Sequence, residues 1–135
     1  RLRLYTELDN IDSEEGIEKF ALALEDRFGP RPRVVEELFE GLRLRWIARS
    51  LGFDRVTLKT TVLRCYFHKN AQSAYYESAI FDRLIKLLGS KGRVLDIQLK
   101  QSATRLLMIK EKIKSMKSAR EFLLSLQQMT EQETV

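Results

Sequence analysis

The chain has 135 residues, 44% of them hydrophobic and 32% charged, the composition of one folded domain and not of a disordered segment. No apolar run approaches the roughly 20 residues that cross a bilayer, and the opening "RLRLYTELDN" lacks the apolar centre of a signal peptide. A single cysteine, Cys65, leaves no intrachain disulfide and no cysteine cluster for zinc, so a reducing cytoplasm is the expected compartment.

The net charge of +5 conceals a gradient: residues 1–30 carry −4, residues 91–120 carry +7, and residues 121–135 carry −3. An acidic start and a basic later segment can face each other or two different partners.

The opening residues read as a helix cut in its middle, as in a fragment of a longer chain. From Glu14 to Phe28, Ile17, Phe20, Ala21, Leu24 and Phe28 follow the rhythm of one helix face. Asp12 or Ser13 caps its start, and Glu14 and Glu15 sit in the first turn, where the helix dipole favours anions. Gly29 and Pro30 stop that helix and Pro32 opens the next. The second helix runs to about Leu51 and has two apolar stripes. Val35, Leu38, Phe39, Leu42 and Trp46 form one; Leu44, Ile47, Ala48 and Leu51 form the other, which predicts cover on two sides.

After Gly52 the composition turns β-branched and aromatic. It predicts a hairpin of Arg55–Lys59 and Val62–His68 around "LKTTVL". Helix is expected again over 72–88, followed by a turn at "GSKG". Two further strands follow in "RVLDIQLK" and "TRLLMIK", and a last helix spans about 112–128, with 129–135 a frayed tail. The order helix, helix, two strands, helix, two strands, helix implies antiparallel hairpins and an α+β fold. No repeat at a solenoid period is present.

Catalytic and metal-binding patterns are missing. Cys65 and His68 make one Cys-x-x-His pair with no further Cys or His to complete a site. Their odd spacing on a strand also points them to opposite faces. The lone histidine would have to serve alone in any nucleophile–base arrangement. "GSKG" lacks the phosphate-loop pattern, and "GPRPR" joins two helices instead of following a strand. The carboxylates Glu25/Asp26 and Glu36/Glu37 read as solvated helix faces. Lys110, Lys112, Lys114, Lys117 and Arg120 are candidate nucleic-acid contacts that can neutralise phosphates. No aromatic residues are interleaved among them for stacking. Trp46 shares its stripe with Leu42 and Phe39 and reads as core.

Three motifs in order, "RLRLYTEL", "FALALEDRFGPRP" and "LRLRWIARSLGFDRV", resemble the C-terminal module of the bacterial transcription-repair coupling factor family. The family pattern is a first helix with RLxxY, an ELxDRFGxxP junction and an LRxxAxxLG helix end leading into a strand. The motifs cover residues 1–56; beyond them the resemblance rests on length and element order. It implies that residues 1–128 are the C-terminal regulatory domain of a larger ATP-driven translocase on double-stranded DNA. That parent displaces stalled RNA polymerase and recruits nucleotide excision repair; its ATP and magnesium belong to motor modules outside this chain. The C-terminal module itself is implied to be non-catalytic and without cofactor. Its implied partner is the excinuclease-B-like N-terminal module of the same chain, against which it packs to hide the excinuclease A docking surface.

In that contact the junction's acids face basic residues of the partner. Asp26 occupies the family's aspartate, flanked by Glu25 and Arg27. The family's other acid falls on Ala23, and Glu25 is offset from that position by about 200° around the helix, so one of two expected ionic links lacks its carboxylate. The alternative function is an accessory DNA-binding module that uses the basic segment 110–120.

Overall fold

A computed structural model describes residues 2–133. The elements run α1 (Leu2–Asp9), α2 (Glu14–Phe28), α3 (Arg33–Leu51), β1 (Phe53–Lys59), β2 (Val62–Phe67), a 3₁₀ turn (Ala74–Glu77), α4 (Ala79–Lys91), β3 (Ile97–Gln101), β4 (Leu106–Lys110) and α5 (Met116–Glu131). All strand pairings are antiparallel, in the order β1-β2-β4-β3. The fold is α+β, as the element order predicts.

Two apolar clusters share α3. The larger joins Leu44, Ala48 and Leu51 of α3 to Phe53, Cys65, Phe67 and Met108 of the sheet and to Ala119, Leu123 and Leu126 of α5. The smaller joins Phe39 and Leu42 to Leu8, Ile17 and Ala21 of α1 and α2, with Trp46 packed against it. The two stripes of α3 are thus buried in different directions, which is why its apolar residues do not gather on one side. Phe53 and Phe67 meet edge to face at 4.9 Å between ring centres, inside the aromatic packing range.

Local chemistry moves several boundaries. Helix was expected to begin at Gln72, but Ser78 is extended and caps α4 by accepting the Phe81 N–H at 3.2 Å, which leaves only a 3₁₀ turn before it. "GSKG" is not a turn: α4 continues to Lys91, and the Gly92 N–H donates to Leu88 O at 2.9 Å. "RVLDIQLK" is strand only from Ile97, because Asp96 takes a left-handed φ of 56° and the Ile97 N–H folds back to Gly92 O at 2.8 Å. β2 ends at Phe67, one residue before His68.

The last helix also starts later than expected. Lys112 has φ 65°, Ile113 donates its N–H to Thr61 O at 2.9 Å, and Ser115 caps α5 by accepting the Ser118 N–H at 3.0 Å. The 111–115 segment is therefore a connection pinned to the β1–β2 turn. At its far end α5 runs on to Glu131, and Thr130 is buried. The segment expected to fray thus begins as helix; Thr134 and Val135 lie outside the described residues.

Candidate interaction surface

The α2–α3 junction is built by local capping. Ser13 Oγ accepts the Gly16 N–H at 3.0 Å and opens α2, which resolves the two capping candidates in favour of Ser13. At the other end Gly29 takes φ 84° and donates its N–H to Glu25 O at 2.8 Å. Only glycine adopts such a φ without steric cost. Pro32, at φ −73° and ψ 158°, is the cap residue of α3.

The three acids and bases of "EDR" diverge at this corner. Glu25 Oε1 accepts from Arg31 Nε at 3.1 Å, and Arg31 Nη1 lies 3.1 Å from Glu36 Oε1. Arg31 also covers the ring of Phe39 at 5.8 Å. Asp26 is exposed and forms no ion pair or side-chain hydrogen bond among the described residues. Arg27 lies over the ring of Phe28 at 5.2 Å, and that ring is 63% exposed. Ala23, one turn before Asp26, is exposed as well. The position of the missing family acid therefore shares the outward side with Asp26, whereas Glu25 turns back to the α2–α3 corner.

Apolar side chains are exposed on α1, α2 and α3 as well. Leu22, Phe28 and Val34 are each more than 60% exposed, and Tyr5 and Leu38 are partly so. Leu4, Leu8, Leu24, Val35 and Leu38 line an open apolar groove of about 190 Å³ between α1, α2 and α3. A surface that combines uncovered leucine and aromatic area with an unpaired carboxylate has the make-up of a protein–protein contact.

An ionic chain ties this helical corner to the rest of the fold. Arg43 of α3 forms a two-pronged pair with Glu14 of α2, one prong from Nη2 to Oε2 at 3.0 Å, and lies 3.5 Å from Glu40. Glu40 in turn accepts from Arg120 of α5. The hydrogen bond from Arg43 holds the Glu14 carboxyl below the usual carboxylate range, and the same bond raises the guanidinium of Arg43. Apart from the i,i+3 pair of Glu40 and Arg43, these partners are far apart in the chain, so no sequence spacing announced the links to α2 and α5.

The basic candidates separate in the fold. Lys110 lies in β4, where its Nζ donates to Leu95 O at 2.9 Å and sits 5.6 Å from the Phe122 ring centre. Arg120 is committed to Glu40. Lys112 and Lys114 are exposed on the connection before α5, and Lys117 is exposed in its first turn. The five do not form one row.

Cys65 is fully buried in the sheet, and burial pushes its thiol up. His68, just past β2, accepts the Asn70 N–H on Nδ1 at 3.2 Å and stacks against Tyr75. Among the described residues no three His, Cys, Asp or Glu side chains converge as metal ligands, and no helix is long and apolar enough to cross a membrane.

Residues 1–78, from α1 through β2 and the 3₁₀ turn, match the family described as the TRCF domain. The chain belongs to the TRCF domain family. The resemblance carried by its three motifs is thereby established, and the match reaches 22 residues beyond Val56, where those motifs end. The solved crystal structure of the C-terminal domain of a transcription-repair coupling factor is similar to this TRCF domain with a TM-score of 0.64. Sequence identity to it is 18%, and the likeness covers 98% of this chain and 82% of that one. At that identity the likeness is one of fold, and it takes in α4, β3, β4 and α5, which the family match leaves out. No curated protein matches this TRCF domain.

Proposed function

We propose that this TRCF domain is a non-catalytic regulatory interaction module of a transcription-repair coupling factor. It packs against the excinuclease-B-like N-terminal module of its own parent chain and masks the surface that docks excinuclease A. The observation that carries this reading is the outward, unpaired carboxylate of Asp26, with the exposed Leu22 one turn before it on α2. A basic partner surface would gain an ionic link there without first breaking one inside the domain. A single exposed pair is worth only about 0–1 kcal/mol, so the apolar rim supplies most of the area, and the contact is weak enough to open. Opening is what regulation needs when the parent, an ATP-dependent translocase on double-stranded DNA, engages RNA polymerase.

The test is binding of this chain to the parent's N-terminal fragment by calorimetry. Asp26→Ala and Leu22→Ser are expected to weaken binding, whereas Glu25→Gln leaves it nearly unchanged. Equal affinity of wild type and Asp26→Ala removes Asp26 from the contact; no binding of the wild type removes the contact itself. The alternative of DNA binding through 110–120 has Lys112, Lys114 and Lys117 to work with, which form no ion pair among the described residues, since Lys110 and Arg120 are engaged within the fold.

A further inference from the structure

The sheet has two unlike faces. Register places Val56, Cys65, Met108 and Leu99 on one rung facing the helices, and Leu58, Leu63, Lys110 and Ile97 on the next. Because side chains alternate, the rungs between them face away from the core. One such rung reads Arg55, Tyr66, Leu107, Lys100 across β1, β2, β4 and β3; the next reads Thr57, Arg64, Ile109, Gln98. Lys59 and Val62 begin a third.

This outer face is basic and no ion pair among the described residues neutralises it. Arg55, Lys59, Arg64 and Lys100 form no ion pair among the described residues. The strands carry one acid, Asp54, at the bulge in β1, and it pairs with Arg105. Tyr66 holds a guanidinium near its ring on two accounts, Arg55 at 5.4 Å and Arg105 at 5.2 Å, which orders the cations on that rung. Strand spacing sets Arg55 and Lys100 roughly 14 Å apart, with successive outer rungs roughly 7 Å apart. None of the large hydrophobic side chains exposed on this protein lies on these rungs. That separates the face from the α1–α3 corner, where leucine and aromatic area is uncovered.

We infer that the outer face of the sheet is a docking surface for the phosphate backbone of duplex DNA. Four unpaired cations with Thr57 and Gln98 as further donors suit a polyanion, and the lack of exposed apolar area argues against an acidic protein, whose interface would want an apolar centre. Duplex is favoured over single strand because Tyr66, half-buried between two guanidiniums, is not free to stack on unpaired bases. The contact is therefore sequence-independent and salt-sensitive. It moves DNA binding away from the 110–120 segment and onto residues 55–100, on a face separate from the proposed contact through Asp26.

The test is fluorescence anisotropy of a labelled 30-base-pair duplex with the 135-residue chain at ~50 mM salt, with circular dichroism confirming the fold of each variant. Arg55→Glu/Arg64→Glu/Lys100→Glu is expected to weaken binding by at least about tenfold, and Lys112→Glu/Lys114→Glu/Lys117→Glu by less than about twofold. The neutral pair Arg64→Gln/Lys100→Gln, which removes charge without reversing it, is expected to lower the salt slope by roughly 2. The inference is overturned if the wild type does not bind the duplex. It is also overturned if the lysine variant loses at least as much as the sheet variant, if the neutral pair keeps the full slope, or if a single strand of equal length binds as tightly. Asp26→Ala binds the duplex as wild type does, so the two surfaces stand or fall separately.

Discussion

Glu25 and Asp26 are chain neighbours whose carboxylates have opposite fates: Glu25 Oε1 lies 3.1 Å from Arg31 Nε, whereas Asp26 meets no cation among the described residues. Helix geometry alone produces the split, since one residue is a 100° step. The step takes Glu25 to the α3 side and Asp26 to solvent. Glu25→Gln should therefore lower stability by about 0.5–1 kcal/mol, with Asp26→Asn near zero. Urea midpoints of the two variants decide it, and a larger loss for Asp26→Asn would contradict this placement.

The Glu14–Arg43 pair gives stability a pH dependence of known sign. The Glu14 carboxyl is lowered in the fold by its bond to Arg43, so its contribution is complete above the unfolded carboxylate range and disappears as pH falls through the lowered folded value. Wild type should exceed Glu14→Gln in stability at pH 7, and the gap should narrow at pH 3. Denaturant titrations at both pH values measure the difference. A gap that widens on acidification would reverse the assignment.

Removing Arg43 is a harsher change. Arg43→Met leaves Glu40, whose side chain is 13% exposed, with Arg120 as its remaining cation. A loss of about 2–3 kcal/mol is expected, with partial rescue by Glu40→Gln in the double variant. Additive losses in that cycle would show that the two residues do not act together.

The β1–β2 turn carries threonine at both left-handed positions, Thr60 at φ 51° and Thr61 at φ 61°. Two-residue hairpins prefer Asn-Gly there, because a β-branched side chain resists positive φ. Thr60→Asn/Thr61→Gly should stabilise the domain by about 1–2 kcal/mol, read as a higher melting temperature. The bond from Ile113 N–H reaches a backbone carbonyl and survives the exchange.

Gly52 is the opposite case. Its φ is 96°, and an added Cβ would stand 2.0 Å from Tyr75 Cε1. Tyr75 is fixed there because its hydroxyl donates to Leu51 O at 2.6 Å. Gly52→Ala should cost more than about 2 kcal/mol, and Tyr75→Phe about 1 kcal/mol. Thermal unfolding of both variants tests the order.

The legible parts of this fold were those written in short spacings. Period and capping located α2 and α3, and the double stripe of α3 foretold its two clusters. Two of the boundaries that moved were decided by single backbone conformations: Asp96 and Lys112 both take positive φ without being glycine, which aspartate tolerates better than most residues and lysine does not signal. The basic candidates of 110–120 separate for the same reason, since Lys112 turns the chain before α5 begins. At the interaction surface, motif order led to Asp26, but only the fold shows that Glu25 is spoken for by Arg31. The outer-face cations were visible as every second residue of "RVTLK" and "LRCY". They gain meaning only once register sets Arg55 and Lys100 on one rung.

The pairing of α5 with α3 bears on how this domain comes to be folded at all. Arg120 and Glu40 are 80 residues apart, and Ala119, Leu123 and Leu126 close the larger cluster. The segment that carries the family signature ends at residue 78, before any of those side chains has been synthesised. On the ribosome, α3 must wait with the α5 side of its second stripe uncovered until the last helix emerges. A nascent chain stalled after β2 would accordingly offer that stripe to chaperones, although every diagnostic motif was already in place.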